Sequence, residues 1–150
     1  LLSCDNTVTE INSFLYGCTN LNELNLSGLT NIKDVGNFFL SDCTSLTSID
    51  LYSLSKIESI GKGFLCSCKN LDSVILPNKD PAEVNVDTKF LMEDVKDSIS
   101  IYCEDLLPKY QENPSWAQFE NNLEGCLYSI SQVNWNSKYA VLPTDRIPAY

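Results

Sequence analysis

Histidine is missing from all 150 residues, and the gap removes the commonest general base in protein chemistry. Ser-His-Asp and Cys-His nucleophiles, like histidine-bound metals, need an imidazole, so none can be assembled within this chain. Positive charge is scarce too: ten Lys and Arg face twenty Asp and Glu, a net charge of -10. Phosphate backbones are gripped by clustered Lys and Arg, so no nucleic acid is expected as a partner. No apolar run approaches the roughly eighteen residues of a membrane span and no lipidation motif is visible, so membrane insertion is not expected. Gly61-Lys62-Gly63 lacks the upstream glycine and the Ser or Thr of a phosphate-binding loop. Asp80, Glu83, Asp87 and Glu93 lack EF-hand spacing and read as a solvated acidic loop. Neither cofactor nor metal is expected.

What the chain has instead is a repeat. Residues 14–26 read FLYGCTNLNELNL, residues 39–51 FLSDCTSLTSIDL and residues 64–76 FLCSCKNLDSVIL. Phe14, Phe39 and Phe64 stand 25 apart, as do Cys18, Cys43 and Cys68, Leu21, Leu46 and Leu71, and Leu26, Leu51 and Leu76. A period of about 20 to 29 residues with an L-x-x-L-x-L core is the signature of a leucine-rich solenoid. The expected fold is therefore an α/β repeat of period 25 with one strand per repeat, a helical C-terminal cap and an extra C-terminal tail. Leu1 falls one period before Leu26, so the chain is expected to be a piece of a longer array. Residues 1–13 read as a partial turn, with Val8 and Ile11 roughly where Ile32 and Gly36 stand one repeat later.

The strand of each repeat should be its L-x-L piece, where apolar and polar residues alternate with period two. Leu24 and Leu26, Ile49 and Leu51, and Val74 and Leu76 then face the core. Glu23, Asn25 and Ser27, Ser48, Asp50 and Tyr52, and Ser73, Ile75 and Pro77 face outward. Behind the strand lies a second apolar pattern, Leu29 with Ile32 and Val35, then Leu54 with Ile57 and Ile60, too closely spaced for a long helix. The Phe-Leu pairs suit one short helical turn ahead of each Cys, and Gly36 and Gly61 mark turns with positive φ or close backbone approach.

After Pro77 the pattern degrades. Residues 98–102 should form a fourth strand, with Ile99 and Ile101 one period after Val74 and Leu76. Phe90 and Leu91 stand one place late, which implies a single extra residue between Pro77 and Phe90. Residues 104–111 and 113–123 read as two short helices, the second opened by Asn113 as N-cap and Pro114 at the first helical position. Trp116, Phe119 and Leu123 share one face of it and serve as a lid over the last repeat. The organisation expected is a solenoid over 1–103, a helical cap over 104–123 and an extension over 124–150, which is either an added strand pair or an arm that docks elsewhere.

The seven cysteines follow the repeat before they follow any pairing rule. Cys18, Cys43 and Cys68 form a column, where a small and weakly polar side chain fills space and satisfies a loop carbonyl. Cys66 and Cys68 make a C-x-C without the second pair that zinc needs. Cys4, Cys103 and Cys126 lie off the column, and a disulfide among them or to Cys66 stays open.

The F-L-x-x-C-x-x-L-x-x-I-x-L pattern, preceded by I-x-x-I-G at residues 57–61, resembles the BspA-type, or treponemal, leucine-rich repeat. Ile101-Tyr102, Tyr110 and Trp116 match in order the segment that closes the family's arrays, so the resemblance spans roughly residues 8–123. It implies a secreted or surface-displayed binding and adhesion module, with matrix proteins or host cells as partners in some members, and no catalytic residue to carry over. The outward strand face, with Glu23, Asn25, Ser48, Asp50, Tyr52, Asp72, Ile75 and Tyr102, is the expected patch for a protein or glycan partner, since tyrosine among polar residues suits an interface. Its acids, on a solvated face, read as a soluble surface and not as a catalytic pair. The sequon Asn25-Leu26-Ser27 lies on the same face and reads as a chance occurrence. The competing expectation is a structural spacer or assembly subunit whose tail makes the contact.

Overall fold

A computed structural model describes residues 9–125. Leu1, Cys4, Val8, Cys126 and the body of the expected extension, 126–150, lie outside the described residues. Eight short strands occur in chain order: β1 (Glu10–Ile11), β2 (Asp34–Val35), β3 (Ser48–Asp50), β4 (Ser59–Ile60), β5 (Ser73–Ile75), β6 (Asn85–Val86), β7 (Ser100–Tyr102) and β8 (Leu123–Glu124). They make two parallel sheets, β1-β2-β4-β6 and β3-β5-β7-β8. Each middle repeat thus gives one strand to each sheet, where the sequence had suggested one strand in all. Two residues are too few to show an alternation, so the strands behind the L-x-L piece look the same as a turn in the sequence.

The two sheets enclose the core. Ile32, Leu40, Cys43, Leu46, Leu51, Leu54, Leu65, Cys68, Leu71, Val74 and Ile101 are wholly buried. Phe39 stacks between Phe14 and Phe64 at 5.6 Å on each side, with interplanar angles of 14° and 10°. Strands of two or three residues contribute few ladder bonds, so this shared core carries the architecture. The segment 23–26, expected as a strand, forms none; the Asn25 Oδ1 accepts the Ser27 N–H at 2.9 Å, a local bond that competes with ladder pairing. Ile11 aligns with Val35 and not with Gly36.

No right-handed helical turn precedes the cysteines. Alternate residues there lie in the left-handed region: Phe38, Leu40 and Asp42 at φ 58°, 53° and 60°, then Gly63, Leu65 and Ser67 at 73°, 54° and 60°. A leucine at positive φ costs about 1–2 kcal/mol. The bend aims its N–H at the preceding repeat, where Leu40 donates to the Phe14 carbonyl and Leu65 to that of Phe39, both at 2.9 Å. Gly36 and Gly61 answer to close approach. A Cβ on Gly61 would stand 2.5 Å from Asn37 Oδ1 and 2.7 Å from the Gly36 carbonyl carbon. Those asparagines build a ladder: Asn12 Oδ1 accepts the Asn37 N–H at 3.0 Å and Asn37 Oδ1 the Lys62 N–H at 3.1 Å.

Between Pro77 and Phe90 the chain carries two extra residues, one more than expected. Ser48 pairs with Ser73, but Ser73 pairs with Ser100, and Val74 therefore faces Ile101. The first extra residue precedes Asn85, which pairs with Ser59. The second lies between Asp87, whose N–H takes the place of Gly61's in bonding the preceding repeat, and Lys89, whose carbonyl takes the place of Lys62's. As a result Leu91 and Met92, not Phe90 and Leu91, fill the buried Phe-Leu places, and Phe90 is left exposed.

The end of the described chain holds its one α-helix, α1 (Leu107–Glu112), entered through a 3-10 turn over Glu104–Leu106. The expected second helix is a 3-10 turn, Ala117–Phe119, followed by β8. Asn113 does cap the Ser115 N–H at 2.9 Å, but in a tight turn that leads the chain back to pair Leu123 with Ile101. The boundary expected after residue 123 consequently falls inside β8. Trp116 is buried against Tyr110, with ring centroids 5.6 Å apart, and against Phe119 at 6.1 Å.

Candidate functional site: the outer face of the second sheet

The register of the second sheet sets Asp50, Ile75 and Tyr102 in one row and Ser48, Ser73 and Ser100 in the next. At its β3 edge the backbone turns sharply. Asp50 Oδ1 accepts the Tyr52 N–H at 2.9 Å, the same side-chain turn that Asn25 makes with Ser27. Asn and Asp suit this position because a short side chain with an acceptor oxygen can mimic a backbone turn. The two turns flank a hollow of about 290 Å³ lined by Leu24, Asn25, Asp50, Tyr52 and Ser53 among others. Ser53 Oγ is held by the Leu26 carbonyl at 3.1 Å.

Of the eight residues proposed from sequence, Asn25, Asp50 and Tyr52 are brought together in this hollow. Tyr102 lies two strands away in the Asp50 row. Glu23 is exposed and Ser48 half-buried, and neither lines the hollow. Asp72 is exposed but paired with Lys96, whose Nζ donates at 2.5 Å. Ile75 does not offer a surface: it is 2% exposed, buried apart from the main core. Ser73 and Pro77, expected to face solvent, are buried as well. β5 lies between β3 and β7, so its outward side chains sit between theirs. Leu24, expected to face the core, is half-buried and forms part of the hollow wall.

The hollow combines a carboxylate, a carboxamide and a phenol over an apolar wall, which suits hydrogen bonding and aromatic contact. Among the described residues no three His, Cys, Asp or Glu side chains converge as metal ligands. The cysteine column lies inside the fold. Cys43 Sγ donates to the Leu15 carbonyl at 3.2 Å and Cys68 Sγ to the Leu40 carbonyl at 3.0 Å. Burial pushes the Cys68 thiol up to about 12 and raises that of Cys43. Cys66 and Cys103, two members of the disulfides left open by sequence, carry free thiols, and burial pushes Cys103 up to about 12.

Sequence reasoning passed over a second surface cluster, the exposed Tyr16 and Phe90 with the half-buried Phe38. Its signal was the misplaced Phe-Leu pair at Phe90, which reads as slippage until two extra residues are placed.

The pattern of the BspA type leucine rich repeat region, in six copies, matches residues 2–86. The chain belongs to the BspA-type leucine-rich repeat family. Membership rests on the repeats alone: the match ends at Val86, the last residue of β6, so the closing segment from Ile101 to Trp116 stays outside it. No curated protein and no solved structure matches this BspA-type chain. None of its described helices is long and apolar enough to cross a membrane.

Proposed function

We propose that this BspA-type chain is a non-catalytic, protein-binding adhesion module of a surface or secreted protein, and that its repeats form a continuous solenoid of period 25, lengthened by two residues in its last step and closed by residues 104–124. The partner is engaged through the outer face of the second sheet. One observation carries the reading: Asn25, Asp50 and Tyr52, chosen from sequence for their outward position, line one hollow at the sheet edge. Leucine-rich repeat modules commonly bind proteins, and a tyrosine beside short polar side chains gives contact area at low entropic cost. Ile75 acts as the floor of this face and Tyr102 as its far rim.

The test is surface plasmon resonance against a panel of immobilised, purified extracellular-matrix proteins. A triple variant, Asp50→Asn with Tyr52→Ala and Tyr102→Ala, is compared with a deletion of 126–150. Asn keeps the acceptor that holds the Tyr52 N–H, as Asn25 does one repeat earlier. The triple change should weaken binding by at least about tenfold at unchanged melting temperature, with the deletion still binding. Wild-type affinity in the triple variant, loss of binding in the deletion alone, or no binding to any panel member would overturn the reading, the second outcome favouring an assembly subunit that works through its tail.

A further inference from the structure

The two large hydrophobic side chains most exposed among the described residues, Tyr16 at 52% and Phe90 at 41%, stand on the same groove. It holds about 660 Å³ and is lined by them, by Phe38 and by the carboxylates of Asp42, Glu93 and Asp94. None of these residues belongs to the sheet face discussed above. The left-handed bends of successive repeats build the groove: Phe38 and Phe90, at φ 58° and 60°, and Asp42 and Asp94, both at 60°, are themselves positive-φ residues of those bends. Phe38, Gly63 and Phe90 share one column. Gly63 makes room for the Phe38 ring, which lies over it: a Cβ there would stand 2.5 Å from Phe38 Cδ1. Tyr16 meets Phe38 edge to face at 5.7 Å. The groove is thus a notch with an aromatic side chain on the repeat to either side of Gly63.

Cations already sit on these rings. Lys62 Nζ lies 5.7 Å from the Phe38 ring centre and Lys89 Nζ 5.5 Å from that of Phe90. The lining itself contains three carboxylates and no basic residue. Lys69 approaches Asp94 at 3.8 Å from an exposed position, a contact that water and salt weaken. Aromatic faces and acids together attract guanidinium and ammonium groups, the guanidinium more because it is planar and weakly hydrated. A chain of net charge -10 adds long-range attraction of the same sign.

We propose that this notch is a second docking site, and that its occupant is an arginine-bearing basic segment of a protein partner, with guanidinium groups seated between Phe38 and Phe90 against Asp42, Glu93 and Asp94. The site reads side-chain chemistry, so an arginine peptide should outrank a lysine peptide of equal charge.

Fluorescence anisotropy tests this with labelled (Arg-Gly-Ser)₄ and (Lys-Gly-Ser)₄ peptides at about 0.15 M salt, where surface attraction beyond about 8 Å is screened. The whole chain should bind the arginine peptide at least about fivefold more tightly than the lysine peptide. Phe90→Ala and Tyr16→Ala, both exposed and each checked by thermal melting, should each weaken arginine binding by about threefold or more. A charge control that removes two carboxylates elsewhere, Glu112→Gln with Glu120→Gln in the closing segment, should leave it unchanged. Equal affinity for the two peptides, insensitivity to both aromatic changes, or an equal loss in the control would show charge attraction without a site and overturn the proposal.

Discussion

Cys43 and Cys68 hold their column because a thiol is small, apolar enough for a core and still a donor. Each closes the carbonyl of a left-handed leucine one repeat back, Leu15 or Leu40. Cys68→Ala should therefore cost about 1–3 kcal/mol, measured by urea unfolding, since it leaves the buried Leu40 carbonyl without its thiol donor. The same thiols predict a pH dependence. A group whose pKa is raised by folding from 9.0 to about 12, as for Cys68 and Cys103, keeps its proton in the native state while the unfolded chain releases it. Its stabilising contribution is intact below pH 9 and is lost as pH rises from 9 toward 12, by roughly 1.4 kcal/mol per thiol per unit. Urea midpoints at pH 8, 9 and 10 should fall slightly over the first interval and more steeply over the second. Midpoints that do not fall between pH 9 and 10 would contradict the burial of these thiols. The structural role of this column was legible from spacing alone. Ile75 was not, because period-two alternation says which side of the strand a residue faces and not whether neighbours cover it.

At the scale of the element, what the sequence conveyed was the step between repeats, and what it concealed was the shape of the turn. The Phe-Leu pair looks helical in one dimension. In three dimensions each Leu is left-handed, and its N–H bonds the previous repeat. The strands of the first sheet were illegible for a different reason: they are two residues long, and their pairing is imposed by the stack and not by local preference. Gly61 shows the constraint most sharply. Gly61→Ala should lower stability by about 1–3 kcal/mol in thermal or urea unfolding, because its Cβ would strike backbone and the Asn37 carboxamide of the ladder. In the following repeat Asp87 stands at the matching place, and the extra residue just after it lets Asp87 turn its own carboxylate onto the Lys89 N–H at 2.9 Å. An alanine tolerated at Gly61 would mean that the repeats are not in this close contact.

For the whole molecule, the parallel stack leaves an apolar end that must be covered. Trp116, Tyr110 and Phe119 meet that need, with Tyr110 buried and β8 adding a strand beside β7. Trp116→Ala should cost about 3–5 kcal/mol in urea unfolding and expose the last repeat first, seen as faster amide exchange over β7 than over β3. The lid was legible in the aromatic spacing, although the tight turn in place of its expected second helix was not, since Asn113 and Pro114 mark a tight turn as readily as a helix start. The division of labour proposed is the central claim: the repeated residues build two sheets, and the outer face around Asn25, Asp50 and Tyr52 is the proposed contact with the partner. Amide hydrogen exchange of the chain with and without a matrix protein selected by the binding panel tests this most directly. Slowed exchange at the Ser27 and Tyr52 amides and along β7 is the predicted result; protection confined to 126–150, with those amides unchanged, would contradict it.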